Sequence, residues 1–244
     1  MTAEPAASDS LLGRVALVTG AAGGIGAAIS TELEALGARV IRVDRDGDDC
    51  HTYDLSSEHA SRAMVEDVVT SAGRLDIVVL NAGLQHMAPI DEFPTAKWDE
   101  LFDVMVKSPF VVIREAWPAL SASPAGRIVA VGSRASFIGA PHKAAYIAAK
   151  HALLGLIRVA AIEGASVGIT ANLLAPGWVD TPLLRGQVPD QARLHGVSEN
   201  EAIDVMRAQT PKGRFLEPHE VARVAGFPTS DAAGVLNGIV VEVN

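Results

Sequence analysis

Apolar positions along the chain follow two alternating patterns. Short continuous runs rich in Val, Ile and Leu occupy residues 14–19, 38–43, 76–80, 126–132, 169–174 and 238–243. Their length predicts strands rather than helices. Between them, residues 24–36, 57–72, 95–120, 143–165 and 217–230 are long enough, and patterned, for helices, with Gly37 as a stop signal after the first. Strands separated by helix-length crossovers predict βαβ units, hence a parallel sheet with helices on both faces. The strands are nearly uniform in hydrophobicity, as strands buried on both faces must be. The expected fold class is α/β, a doubly wound parallel sheet.

One stretch breaks the rhythm. Residues 183–215 are polar and carry several Gly and Pro, and an insertion of that length is either disordered or a lid. A partial helical pattern at 199–208 favours a lid. No linker divides the rest, so a single domain is expected over 11–244, behind a short disordered leader at 1–10. Its 244 residues fit one large α/β domain. The leader has no basic start and no apolar stretch, unlike a signal peptide. The apolar runs fall far short of the ~20 residues that span a bilayer, and a cytoplasmic location is expected.

Composition narrows the partners. A net charge of −9 argues against nucleic acid and anionic membrane. The single cysteine, Cys50, has no partner for an intramolecular disulfide. Mean hydropathy is +0.25 although aromatics are only 5%, so small aliphatic residues carry it, as closely packed helix-on-sheet layers require. Seven histidines stand at positions 51, 59, 86, 142, 151, 195 and 219 without metal-ligand spacing, and no metal is expected.

Candidate chemistry begins between the first strand and the first helix, at Thr19-Gly20-Ala21-Ala22-Gly23-Gly24-Ile25-Gly26. Glycines let a backbone turn approach a pyrophosphate, and free amides at a helix N-terminus stabilise its charge. Alone this is equally an ordinary glycine-rich turn. Its place between strand and helix, with Asp44 closing the second strand, makes it a Rossmann-type dinucleotide site. A carboxylate there accepts hydrogen bonds from the adenosine ribose and repels a 2′-phosphate, which favours NAD. The neighbouring Arg45 pulls the other way, towards NADP.

The second centre is Lys143-Ala144-Ala145-Tyr146-Ile147-Ala148-Ala149-Lys150. Spacings of three and four place Lys143, Tyr146 and Lys150 on one face of a helix that is otherwise apolar nearly all round. An adjacent ammonium lowers a tyrosine pKa and equips it for general acid–base work on an alcohol or carbonyl. The alternative is two lysines snorkelling from a surface face.

Together with Asn81-Ala82-Gly83, Ser133 thirteen positions before Tyr146, and Pro176-Gly177, these motifs closely resemble the short-chain dehydrogenase/reductase family. The resemblance runs from Arg14 to Asn244. It implies proton transfer by Tyr146, a hydrogen bond from Ser133 to the substrate oxygen, and Lys150 on the nicotinamide ribose, lowering the Tyr146 pKa. It implies cofactor contacts at Gly20, Gly24, Ile25, Gly26, Asp44, Asp54, Leu55, Asn81, Ala82, Gly83, Pro176, Gly177, Val179 and Thr181, besides Tyr146 and Lys150. Met105 stands where the family usually has a helix Asn thought to hold a relay water, which leaves waters reorganised around Met105 and Ser108, or slow turnover.

Within the family the likeness is to 3-hydroxybutyrate dehydrogenases, through residues 81–94, Lys143, His151 and the stretch Pro176–Leu183. That likeness implies that Gln85, Lys143 and the lid residue Gln187 grip a carboxylate, with Trp178, Ser133 and Tyr146 completing the substrate site. Ala135 replaces a His contact and makes room for a bulkier substrate. The expected activity is NAD-dependent oxidation of a secondary alcohol, a small hydroxy acid such as 3-hydroxybutyrate. The alternatives are another alcohol or sugar derivative, or an NAD-binding protein with little turnover. The family habit, and apolar surface on the 143–165 and 95–120 helices, imply a homotetramer.

Overall fold

The computed structural model describes residues 10–244, so the leader expected at 1–10 lies, apart from Ser10, outside the described residues. Seven parallel strands form one sheet: β1 (Val15–Thr19), β2 (Arg39–Asp44), β3 (His51–Thr52), β4 (Ile77–Leu80), β5 (Gly126–Val131), β6 (Ile169–Pro176) and β7 (Val240–Val243). Their order is β3-β2-β1-β4-β5-β6-β7. The chain starts in the middle, winds outwards to β3, then returns past β1 to wind the other way. This reversal places a crevice at the carboxyl ends of β1 and β4, where such sheets bind ligands. The two-residue β3 has no counterpart in the sequence expectation. It pairs Val43 with His51 and Asp44 with Thr52 at the sheet edge, in a polar stretch with no apolar run to announce it.

Alternation along each strand sends neighbouring side chains to opposite faces. Leu17, Val78, Ile128 and Leu173 meet one helical layer: α2 (Glu58–Ala72), α4 (Ser108–Ala122) and α5 (Ala144–Gly164). Ala16, Val18, Val79, Val129 and Leu174 meet the other, α1 (Gly24–Ala35) and α9 (Pro218–Thr229). Local signals set several ends. Ser57 caps α2 by accepting from the Ala60 amide at 3.3 Å, and Gly73 ends it at φ 74°, a left-handed conformation that favours glycine.

The helix expected over 95–120 is three pieces. α3 (Thr95–Phe102) passes through a π-helical segment, Asp103–Lys107, into α4. There the Ser108 amide donates to the Asp103 carbonyl, five residues back. Pro109, the next residue, has no N–H for the Met105 carbonyl, so ordinary α bonding fails at this point.

The insertion is ordered as three helices: α6 (Pro182–Arg185), α7 (Val188–His195) and α8 (Glu199–Ala208). The Ser198–Glu201 capping box starts α8, where the helical pattern was legible. Leu184, Val188 and Met206 form a small core of the insertion with Ile203 and Phe215, packed against Trp178. By length and composition, Ala144–Val167 is apolar enough to cross a membrane, a match that counting uninterrupted apolar runs had missed. Here Leu153, Ile157, Ala160 and Ala161 of α5 lie buried against the sheet.

Candidate active site

A cavity of about 540 Å³ runs across the carboxyl ends of β1, β2, β4, β5 and β6. Every residue that the resemblance assigns to cofactor or substrate contact lies on its wall except Gly26. Gly26 sits beneath the turn instead, where a Cβ would stand 2.0 Å from the Gly20 carbonyl oxygen. Its part is to let α1 approach the turn. Gly24 has φ +55° and faces the Thr181 side chain, at 3.1 Å from an added Cβ. Gly23 offers no side-chain cap, so the first-turn amides of α1 are left for a ligand. Asn81 braces this loop, donating to the carbonyls of Thr19 and Gly20 at 3.0 and 2.9 Å. An uncapped helix start beside a turn that admits no side chain at Gly20 or Gly26 fits a dinucleotide pyrophosphate.

Asp44, at the end of β2, accepts from the Ala22 amide at 2.9 Å and the Arg45 amide at 2.7 Å. Its carboxylate is thereby fixed against the glycine loop. Arg45 leans on Asp46 at 3.3 Å and is mostly exposed. Asp54 is held by the Ser56 amide and hydroxyl, which keep its carboxyl below the usual range.

Ser133 ends the loop after β5, and Tyr146 and Lys150 lie one turn apart on α5. The Ser133 hydroxyl accepts from the Ala135 amide at 3.2 Å and lies where it favours the charged form of the Tyr146 phenol. Lys150 is buried, donates to the Val131 carbonyl at 2.7 Å, and stands 5.7 Å from the centre of the Tyr146 ring. Burial pushes its ammonium down to about 8. Burial raises the Tyr146 phenol above its usual value, and the Ser133 hydroxyl works against it. The lowering of Tyr146 expected from Lys150 is not among the causes of its shift, which loss of hydration dominates.

Met105, in the π-helical segment, is buried against Leu101, Ala145 and Ala149. Its sulfur accepts from the Leu84 amide at 3.5 Å, tying the loop after β4 to the helix. Ser108 is buried and accepts from the Ser61 hydroxyl at 3.0 Å, between α2 and α4.

Beyond Tyr146 the wall is built for an acceptor. His142, at φ 61°, turns the chain into α5, and Lys143 follows with 7% of its surface exposed. The Lys143 ammonium lies 4.4 Å from the Trp178 ring centre and donates to Gln187 Oε1 at 2.9 Å. Burial pushes it down to about 8. Gln85 Nε2 donates to the same oxygen at 3.3 Å, so all three residues proposed for a carboxylate meet. Trp178 is held in turn by its Nε1 donating to Gln209 at 3.2 Å. Arg45, weighed against Asp44 in the sequence, lines the cavity, as do Gln209 and Arg134, which the sequence does not single out. Gln209 lies in the insertion, and Arg134 directly follows Ser133, so adjacency was its only signal.

The fold and this cavity define a dinucleotide-binding oxidoreductase. The short chain dehydrogenase family model matches residues 14–192, and the chain belongs to that family. It is 34% identical to a D-beta-hydroxybutyrate dehydrogenase of Cupriavidus necator, over 94% of this chain and 96% of the relative. It is 33% identical to a cis-4-hydroxycyclohexanecarboxylate dehydrogenase of Sinomonas cyclohexanicum, over 95% of each. A solved structure from Beutenbergia cavernae, assigned as an NAD(P)-dependent gluconate 5-dehydrogenase with bound NADP, superposes with a TM-score of 0.87 at 33% identity, covering 97% of both chains.

Proposed function

We propose that this protein is an NAD-dependent dehydrogenase of a small hydroxy acid, of which 3-hydroxybutyrate is the model substrate. The observation that carries this reading is the buried Lys143 ammonium, with Gln85, on the wall that also presents Ser133 and Tyr146. An ammonium and an amide donor suit a carboxylate. Bound NAD would accept a hydride at its nicotinamide from the carbinol carbon. Tyr146, as phenolate, takes the hydroxyl proton, so the alcohol leaves as a ketone. Ser133 holds the substrate oxygen, and Lys150 supplies a nearby positive charge that favours the phenolate. NAD over NADP rests on Asp44, whose fixed carboxylate repels a 2′-phosphate. Ala135 supports a second substrate, a longer sugar acid, because that wall carries only a methyl group.

The same reading comprises a single domain over 11–244 acting in the cytoplasm on a small molecule. It includes a homotetramer joined through exposed Phe110, Val159 and Ile162 on α4 and α5. The test is reduced-cofactor formation with NAD and NADP over 3-hydroxybutyrate, gluconate and neutral alcohols. The expected outcome is turnover with NAD and 3-hydroxybutyrate that falls at least ~10³-fold in Tyr146→Phe. Tight NAD binding without turnover of any alcohol would overturn it.

A further inference from the structure

An ammonium offers only donors, and a backbone carbonyl only accepts. These two facts fix the amide of Gln187. Its Oε1 faces Lys143 at 2.9 Å and Gln85 at 3.3 Å, while its Nε2 donates to the Leu183 carbonyl at 2.9 Å. Reversing the amide would set two donors against the ammonium and an oxygen against a carbonyl. So Gln187 does not face this pocket as a donor. It presents one oxygen to the two donors that would hold a carboxylate, from the junction of α6 and α7, where its own amide bonds to the Leu184 carbonyl at 3.0 Å. Both Gln187 and Lys143 are buried.

We infer that Gln187 is an internal competitor for the substrate's acceptor site, latching α6 and α7 over the cavity until an acid takes its place. The inference rests on the hydroxy-acid reading for the identity of the incoming group. The exchange favours a carboxylate, because charge-assisted hydrogen bonds are roughly twice as strong as neutral ones. A hydroxyl has no such advantage over the amide. The latch lowers the affinity of every ligand for the pocket by one common factor, as any occupied competing state does. It therefore sets a threshold without changing the ratio between ligands.

The sign of one Michaelis constant separates this role from a gripping one. In full-length Gln187→Leu, the KM for 3-hydroxybutyrate falls about tenfold if the residue is a latch, one tenfold step being ~1.4 kcal/mol. If Gln187 grips the acid, that KM rises. Gln187→Glu places a fixed anion on Lys143 and raises the KM at least tenfold, with KM for NAD unchanged. A readout without substrate is hydrogen exchange across residues 183–195, expected to quicken about tenfold in Gln187→Leu. Unchanged exchange, or a raised KM in Gln187→Leu, overturns the latch. Faster exchange in that variant, with no acid bound or oxidised by the wild type, keeps the latch and removes the acid.

Discussion

The two ends of the sheet each bury charge, and they treat it in opposite ways. At the amino end, Asp76 is 1% exposed and fully supplied with donors. It accepts from the Val15 amide at 2.8 Å, from Arg74 at 2.8 and 2.7 Å, and from the Ser123 hydroxyl at 2.6 Å. Burial alone would raise its carboxyl, but the bonds from Arg74, Ser123 and Val15 leave it below the usual range. At the carboxyl end, Lys143 and Lys150 are as deeply placed, and each ammonium donates one hydrogen bond, to Gln187 and to Val131. Their charged forms are disfavoured, and both are pushed down to about 8. A satisfied buried charge fastens β1, β4 and the end of α4 together. Under-supplied ones are left with bonding capacity for a ligand.

That contrast breaks most visibly at Asp76. Asp76→Ala should lower the unfolding free energy by about 3–5 kcal/mol in urea titrations, while specific activity per folded molecule stays near wild type. A loss under ~1 kcal/mol would place Asp76 with ordinary surface carboxylates. Lys143→Met should do the reverse, with stability at pH 7 unchanged or raised by about 1 kcal/mol and KM for the acid raised at least ~10-fold.

The smallest effects lie in pH. The Asp76 carboxyl is depressed in the folded state, so its contribution is present above the unfolded value of 3.8 and lost as pH falls through the lower folded one. The stability gap between wild type and Asp76→Asn should therefore narrow in acid. The lysines have lowered folded values, so between about 8 and 10.5 the unfolded chain binds more protons and stability rises with pH. Lys143→Met should show a shallower rise over that window. An equal slope would mean that Lys143 keeps its hydration in solution.

Much of this is legible in the sequence. The βαβ rhythm could be read because strands buried on both faces leave long apolar runs, and the glycine loop because a close backbone approach admits no other residue at Gly26. The Tyr146 and Lys150 pair could be read because helical spacing fixes their common face. What escaped had no apolar run or residue spacing to announce it. β3 is held by two residue pairs with β2 in a charged loop. The π-helical turn follows from one missing amide at Pro109. The orientation of Gln187 depends on Lys143, 44 residues earlier, and Gln85, 102 residues earlier. Composition could say that an amide stood there, but not which of its ends faced the ammonium.

The apolarity of α5 has a consequence for how the chain is made. This helix emerges from the ribosome ahead of β6 and β7, the strands that complete the sheet beside it. Until they follow, part of its Leu and Ile face stays uncovered, and by length and composition the segment is apolar enough to cross a membrane. Lys150 and Arg158 stand inside it, and each basic residue near the centre of a spanning helix costs about 2.5–3.5 kcal/mol on insertion. Lys150, which the proposed chemistry places beside Tyr146, would thus also raise the cost of passing the nascent helix into a membrane.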